Sequence, residues 1–240
     1  MDARKAVGYL TDHVGKYGAR ATLHELQTRL INKVVHFEIL KGMTVRTGDV
    51  KDPGLFEAPG FTGRFFDEER LREYAQDGAN QMTPEFLRGA LARGDRCYAL
   101  FDGGTLAAYG WYSDLPSALD EHFVLHFDPA WTYMYKGYTL PAYRGKRLHA
   151  VGMCCALRAL TQEGQEGLIS CVASNNFASL HSVTRMGYKI FGDAYMLRAG
   201  GSCFTYASRS CREYGFHVAS PKVQPLNGHG TASTIHPRGG

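Results

Sequence analysis

The stretch that decides the fold is PAYRGKRLH, residues 141–149, which lies between a β-prone segment and a helical one. Residues 130–140 before it are rich in Trp, Tyr and Thr, which favour strands. After it, apolar residues recur at helical spacing. A short loop that leads directly into a helix leaves backbone N–H groups unpaired at the positive end of the helix dipole. Arg144, Lys146 and Arg147 add side-chain charge, so the loop predicts a site for a di- or triphosphate, although many basic loops are only solvated turns.

A second motif begins about 27 residues after the loop. Asn176 is followed by Ser179, Gly187 and Tyr188, and then by another β-prone segment. Asparagine is a preferred N-cap, and glycine is the usual residue just past a helix end. Asn175 or Asn176 is therefore predicted to open a helix that Gly187 ends and that follows a buried strand, LISCVAS.

Taken together, the two motifs resemble the GNAT (Gcn5-related N-acetyltransferase) superfamily over roughly residues 85–200. In that family a P-x-x-R-G-K-G-x-G loop cradles the pyrophosphate of acyl-CoA, and a later N-x-x-[AS] and G-[FY] segment lies beside the pantetheine arm. The resemblance implies an α/β (α+β) fold with a mixed, mainly antiparallel central sheet flanked by helices. Acyl-CoA would lie in a cleft between strands that splay apart after Leu140.

The resemblance also implies the residues that hold acetyl-CoA or another acyl-CoA as co-substrate. Backbone N–H groups at the end of the central strand would stabilise the thioester oxyanion, the loop would bind the phosphates, and no metal is expected. The expected binding residues are Tyr138, Thr139, Leu140, Arg144, Gly145, Lys146, Arg147, Leu148, His149, Ala150, Asn176 and Ser179.

Two departures from the family pattern concern this site. Arg147 and His149 stand where the family has small residues, which a backbone cradle tolerates if their side chains point away from the phosphates. Val183 stands where the family often has a tyrosine that protonates the leaving thiolate. The role of general acid is therefore vacant, taken by another group, or unnecessary because solvent can protonate the CoA thiolate.

The acceptor amine is mostly protonated at neutral pH, so transfer needs a base or a water chain. In the family the base often comes from the central strand or the loop before it. The candidates on this chain are Tyr135, His126 and Glu121, with His122 and Tyr133 as further possibilities. The pattern singles out none of them, because strand tyrosines commonly pack and loop histidines commonly face solvent.

The N-terminal third precedes the recognisable core. We divide the chain into residues 1–84, an acceptor-shaping helical arm within the same domain, residues 85–217, the acyl-CoA-binding core, and residues 218–240, a disordered tail. Apolar spacing from Thr22 to about Val45 predicts one amphipathic helix that Gly42 helps to end. Its buried stripe would comprise Leu23, Leu26, Leu30, Val34, Phe37 and Leu40. The Gly- and Pro-rich residues 47–66 predict a covering loop.

Composition excludes several classes of protein. The 27 Lys and Arg against 23 Asp and Glu give a net charge of +4, too small to indicate a nucleic-acid partner. The six cysteines contain no CxxC pair, which disfavours a disulfide framework or a zinc site. No segment approaches the roughly 18 apolar residues of a membrane span, so a cytoplasmic protein is the expectation.

The leading functional prediction is transfer of an acyl group from acetyl-CoA, or another acyl-CoA, to a primary amine on a small molecule, sugar or peptide. One alternative is a long-chain N-acyltransferase that uses acyl-CoA or an acyl carrier protein as its partner. Another is a degenerate domain that senses acyl-CoA or binds a partner without turnover. A homodimer is left open.

Overall fold

A computed structural model describes residues 3–220 of the chain, and the tail predicted from residue 218 falls almost wholly outside this range. The helices are α1 (Ala3–Tyr17), α2 (Ala19–Ile31), α3 (Glu68–Tyr74), α4 (Pro84–Ala92), α5 (Leu148–Gln162) and α6 (Phe177–Met186). The strands are β1 (His36–Val45), β2 (Thr62–Phe65), β3 (Arg96–Asp102), β4 (Thr105–Ser113), β5 (Ser117–Ala118), β6 (Val124–His126), β7 (Trp131–Thr139), β8 (Gly167–Ala173), β9 (Lys189–Ala199), β10 (Ser202–Ala207) and β11 (His217–Ala219).

Within residues 3–220, eight strands form one sheet in the order β10-β9-β1-β8-β7-β4-β3-β2. Every neighbouring pair in it is antiparallel except β7 and β8, which run parallel. A second, small sheet has the order β11-β6-β5. The predicted fold class, a mixed and mainly antiparallel sheet flanked by helices, is confirmed.

The local predictions around the two motifs are also confirmed. Strands β3 and β4 form a hairpin, and its turn residue Gly103 has a φ of 57°, a conformation that glycine adopts without a steric penalty. Helix α5 starts at Leu148, as the spacing predicts. Asn176 caps α6, and Gly187, with a φ of 131°, follows its last residue.

The prediction of one helix from Thr22 to about Val45 is wrong in its second half. Helix α2 ends at Ile31, and residues from His36 form a ten-residue strand that pairs with both β8 and β9. Gly42, expected as a helix stop, lies inside this strand, where Phe191 and Phe216 leave no room for a side chain. Burial between two neighbouring strands outweighs the helical spacing of the apolar residues.

The expected buried stripe of α2 is also wrong, because its leucines face outward. Leu23, Leu26 and Leu30 are 56%, 41% and 65% exposed, whereas Thr22 and Glu25 are buried. The Glu25 carboxylate forms an ion pair with the guanidinium of Arg29 at 2.7 Å, and the hydroxyl of Thr22 donates to the carbonyl of residue 18. The described structure therefore leaves an apolar stripe uncovered on the N-terminal arm.

The main sheet is covered on both faces. Helix α5 packs on one face against a cluster that includes Met43, Val45, Leu100 and Met134. The opposite face has two clusters, one around Leu40, Phe123 and Ile169 and one in which α3 and α4 cover β3 and β4. The candidate site lies where α5 meets the central strands β7 and β8.

Candidate functional site

The two central strands separate along their length. Parallel pairing of β7 with β8 runs from Trp131 opposite Gly167 to Tyr133 opposite Ile169 and stops there, although both strands continue. At the point of separation the hydroxyl of Ser170 donates to the carbonyl of Met134 at 2.8 Å. The hydrogen-bonded ladder between β7 and β8 therefore ends at Tyr133. This point is earlier in β7 than the predicted separation of the strands after Leu140.

A β-bulge lies at the same place on β7. On the neighbouring strand β4, Trp111 pairs with Lys136 and Tyr112 with Met134, so Tyr135 is an extra residue. A bulge bends its strand and increases the local twist. Tyr135 and Lys136 consequently both point to the face opposite α5, where the Lys136 ammonium donates to the carbonyl of Gln81 at 2.9 Å.

The loop between β7 and α5 has a conformation that suits an anion. A 3₁₀ turn over Pro141–Tyr143 is followed by Gly145 with a φ of 83° and by Arg147 with a φ of 61°. Arg147 occupies the N-cap of α5, but its side chain makes no capping hydrogen bond. The first N–H groups of an α-helix have no intrahelical acceptor, so the start of α5 presents unpaired donors.

A cavity of about 480 Å³ opens beside this helix start, between α5, α6, α1 and the segment around Leu55. Among the described residues that line it, three carry a permanent positive charge, two are histidines and none is acidic. The guanidinium of Arg147 also reaches outward to Asp52, with Nη1 and Oδ2 3.0 Å apart. The lining residues are Lys16, Tyr17, Leu55, Arg147, His149, Ala150, Ala178, His181, Ser182, Arg185 and Met186.

His149 occupies the gap between α5 and β7. A methyl group at Gly137 would lie 2.2 Å from Cε1 of His149, so only glycine on β7 leaves room for this ring. The side chain is exposed toward the cavity, yet the surrounding protein desolvates the imidazole and lowers its pKa. The bulk of His149, a departure from the family pattern, is therefore accommodated by a matching glycine.

Helix α6 forms the opposite wall of the cavity, although Asn176 and Ser179 are not among the residues that line it. The Asn176 side chain accepts the N–H of Ser179 at 3.2 Å, so these two predicted binding residues act locally as a helix cap. Val183, at the position of the family's tyrosine, is half-buried and packs against the core under α5. No proton donor stands at that position of α6.

The other predicted binding residues divide between the loop and the sheet. Arg144, Gly145 and Lys146 are exposed in the turn, with the Nε of Arg144 3.4 Å from the carbonyl of Thr139. Ala150 lines the cavity, whereas Leu148 points into the core. The side chains of Tyr138 and Leu140 pack on the face opposite α5, and the backbone N–H of Leu140 donates to the carbonyl of Ala107 at 3.0 Å.

The three candidate bases lie in different surroundings. Tyr135 donates its hydroxyl to Asp95 at 2.8 Å; burial, followed by the neighbouring carboxylate, raises its pKa. His126 lies on β6 of the small sheet, stacked on His217 at 4.8 Å, and burial lowers its pKa. Glu121 is exposed in the loop before β6, 3.2 Å from a ring nitrogen of His122. The structure does not bring the three together.

Several residues that line the cavity or have a shifted pKa were missed by the sequence analysis. Lys16 and Tyr17 of α1 and Arg185 of α6 line the cavity, although only a basic residue at each helix end marks them in the sequence. Glu38 was missed because its segment was assigned to a helix. On β1 it is half-buried, and its pKa is raised, chiefly by burial.

Comparison with known proteins gives distant likenesses of fold. No family model and no curated protein matches the chain. Solved structures that match include GCN5-related N-acetyltransferase from Kribbella flavida, at 15% identity over 72% of this chain and 63% of that one, with a TM-score of 0.45. An acetyltransferase from the GNAT family of Colwellia psychrerythraea matches at 12% identity over 70% of this chain and 59% of that one, with a TM-score of 0.46. This chain thus spans less than two thirds of either protein.

None of the helices in residues 3–220 combines the length and the apolar character that crossing a bilayer requires.

Proposed function

We propose that this chain is a GNAT-type acyltransferase that moves an acyl group from acetyl-CoA, or another acyl-CoA, to a primary amine on a small molecule, sugar or peptide. The observation that carries the proposal is the uncapped start of α5, which opens into a cationic cavity beside two strands that separate. Each part of this arrangement fits one part of the donor and its chemistry.

The phosphate end of the donor fits the α5 side of the cavity. Unpaired N–H groups and the helix dipole favour an anion there, and Arg147, Arg144 and Lys146 can add charge-assisted hydrogen bonds. The absence of acidic side chains from the described lining avoids like-charge repulsion with phosphate. Lys16 and Arg185 extend the positive surface toward α1 and α6.

The thioester end fits the gap between β7 and β8. Strand β7 continues beyond Tyr133 without β8 as a ladder partner, so backbone groups on that edge can bind an extended arm as another strand would. A backbone N–H aimed at the thioester oxygen would stabilise the oxyanion. Of the predicted residues, Tyr138 and Thr139 remain our proposal for this role, because the N–H of Leu140 already donates to the carbonyl of Ala107 at 3.0 Å.

The valine at position 183 agrees with release of the thiolate to solvent. The pKa of an ordinary thiol lies within about two units of neutral, so water can protonate the departing sulfur. A dedicated acid is therefore not required for turnover.

The test is calorimetric titration of the purified chain with acetyl-CoA and with CoA, followed by thiol release against a library of primary amines. We expect binding at tens of micromolar protein and acylation of at least one amine class. Failure to bind either ligand would overturn the proposal. A mass-spectrometric screen of donors of increasing chain length, free and on acyl carrier protein, identifies the preferred acyl group.

A second candidate, an acyl-CoA sensor without turnover, is favoured by two observations. Val183 replaces a proton donor, and the ring of His149 fills the gap beside Gly137 in the described structure. Tight CoA binding with no thiol release across the whole library would establish the sensor and exclude the transferase.

A homodimer is a further proposal, supported by the uncovered leucine stripe of α2. Sedimentation velocity of the chain and of a Leu26→Glu variant tests it. We expect a dimer that the substitution converts to monomer; a monomeric parent chain would contradict it.

A further inference from the structure

The cavity has a second positive wall, opposite the start of α5. Helix α6 turns one face toward the cavity, since the residues at positions i, i+3, i+4 and i+7, from Ala178 to Arg185, all line it. Lys16 reaches the same cavity from the last turn of α1. Two permanent positive charges from different helices therefore border one space, in addition to Arg147 at the start of α5.

The N-terminal arm is held against α6, so Lys16 has a defined place at the cavity. The ring of Tyr17, the neighbour of Lys16, lies 5.6 Å from the ring of Phe177, the first residue of α6. A ring nitrogen of His24 on α2 lies 2.8 Å from the hydroxyl oxygen of Ser174, which is buried just after β8. Because both contacts join the arm to the elements around the cavity, the arm forms part of the site.

The protein neutralises neither of these two cations. In the part of the chain that the structure describes, no carboxylate forms an ion pair with Lys16 or Arg185, and both side chains are exposed. The Lys16 ammonium lies over the ring of Tyr17, 5.1 Å from its centre. Arg147, by contrast, already pairs with Asp52. Two unpaired cations that border one cavity favour an anionic group between them, since no acidic residue is among the described lining.

The chemistry of acyl-CoA supplies such a group. CoA carries a pyrophosphate in its middle and a phosphate monoester on the 3′ position of its ribose. An acyl carrier protein presents a phosphopantetheine arm with a single phosphodiester. With the pyrophosphate at the start of α5, the monoester is the anion left for the opposite wall. A phosphate monoester has a charge of roughly −1.5 to −2 at neutral pH and strong acceptor oxygens, so it can bind an ammonium and a guanidinium together.

We propose that Lys16 of the N-terminal arm and Arg185 of α6 together bind the 3′-phosphate of CoA, and that this contact selects CoA over an acyl carrier protein as the donor. The proposal rests on the proposed function, because it takes the pyrophosphate to lie at the start of α5. The arm, which the sequence predicts to shape the acceptor site, then also binds the donor.

The first test compares CoA with 3′-dephospho-CoA, which lacks only the monoester, by calorimetric titration of the full chain. We expect the parent to bind CoA about 10-fold or more tightly, the scale of a hydrogen bond to a charged group. Lys16→Gln and Arg185→Gln should each weaken CoA binding by about 10-fold and leave the affinity for 3′-dephospho-CoA within about twofold of the parent value. Both side chains are exposed, so both variants should melt close to the parent's temperature.

The matched control is Lys33→Gln, at an exposed position after α2 that does not line this cavity. It removes the same charge and should leave both affinities unchanged. Equal affinity of the parent for the two ligands would overturn the assignment and leave the proposed function intact. Equal weakening of both ligands by Lys16→Gln and Arg185→Gln, or an equal loss of CoA binding in the control, would overturn it in the same way. A parent chain that binds neither ligand contradicts the proposed function itself.

The second test compares acetyl-CoA with an acetylated acyl carrier protein as donor, with spermidine, an amino sugar and an amine-terminated peptide as acceptors. We expect the parent to have a kcat/KM about 10-fold or more higher with acetyl-CoA, and the double variant Lys16→Gln with Arg185→Gln to lose this preference. Equal or faster transfer from the carrier protein in the parent would overturn the selection of CoA. A parent that binds CoA but acylates no amine contradicts the proposed function, whereas the titrations still decide the phosphate site.

Discussion

Two helices begin at the edge of the same cavity, and they begin differently. Helix α6 starts at Asn176, whose side chain accepts the N–H of Ser179 and so closes its own end. Helix α5 starts at Arg147, which is in the left-handed region with a φ of 61° and offers no capping bond. A positive φ costs an arginine roughly 1–3 kcal/mol, and the uncapped end forgoes about 1 kcal/mol more.

The difference indicates that the starts of α5 and α6 have different functions. An anion site requires unpaired N–H groups beside cationic side chains, and the strained start of α5 provides them. The capped start of α6 has only to position one wall of the cavity. Four variants, one of them double, test this contrast, and a change that affected both helix starts equally would break it.

The largest effect is expected from reversing two charges in the turn before α5. Arg144→Glu with Lys146→Glu should weaken CoA binding by roughly 100-fold, since hydrogen bonds to charged groups are each worth about 1.5–3 kcal/mol. Both side chains are exposed, so the free energy of unfolding should change by less than about 1 kcal/mol.

Calorimetry with CoA and thermal unfolding measure the two quantities. The matched control is Arg209→Glu with Arg212→Glu, an exposed pair in the 3₁₀ helix after β10. Equal losses of binding in the two double variants would show that net charge, rather than the α5 start, attracts the ligand.

Gly137→Ala tests the fit of the His149 ring on the α5 side. The new methyl group would lie 2.2 Å from that ring and should cost about 1–2 kcal/mol of stability through overpacking. His149→Ala should remove most of this cost, so a double-mutant cycle measured by urea unfolding should give a coupling of about 1 kcal/mol. Additive losses would mean that the two residues do not compete for the same space.

Asn176→Ala tests the capped helix. Loss of the side-chain cap should lower the free energy of unfolding by about 1 kcal/mol. The affinity for CoA should stay within about twofold of the parent value, because we place no phosphate of CoA at the start of α6. Asn176→Ser, which preserves a capping oxygen, should restore stability; a large loss of affinity in the alanine variant would instead place the ligand on α6.

The smallest effect is expected from Arg147→Gly. Glycine adopts a positive φ freely, but the change also removes the exposed pair with Asp52, so a net gain of about 0.5 kcal/mol in stability is expected. Asp52→Asn, measured beside it by chemical unfolding, isolates the contribution of the ion pair. A clear loss of stability in the glycine variant, unmatched by Asp52→Asn, would show that the left-handed arginine is not strained.

The sequence predicts those features of the fold and the site that depend on local signals. A cap at Asn175 or Asn176, Gly187 as a stop and the loop before Leu148 are all readable within a few residues. Each is confirmed as an element boundary, with Asn176 as the cap. The identity of the donor is a prediction that follows from the resemblance of those same residues to a family.

Features that depend on distant contacts could not be read in this way. The segment from His36 has helical apolar spacing but becomes a strand because β8 and β9 lie on either side of it. The pairing of Gly137 with His149 joins residues on different elements, and Glu38 gains its surroundings only once β1 is inserted. The leucines of α2 face outward although their spacing predicts burial, and only tertiary packing decides that orientation.

The most direct test of the central claim is to follow backbone amide NMR signals at both helix starts during a titration with CoA. We expect large shifts at Gly145–Ala150 and small ones at Phe177–Ser179, because the ligand's phosphates would hydrogen-bond the open end of α5. Binding without shifts at Gly145–Ala150, or with shifts confined to the start of α6, would contradict the account.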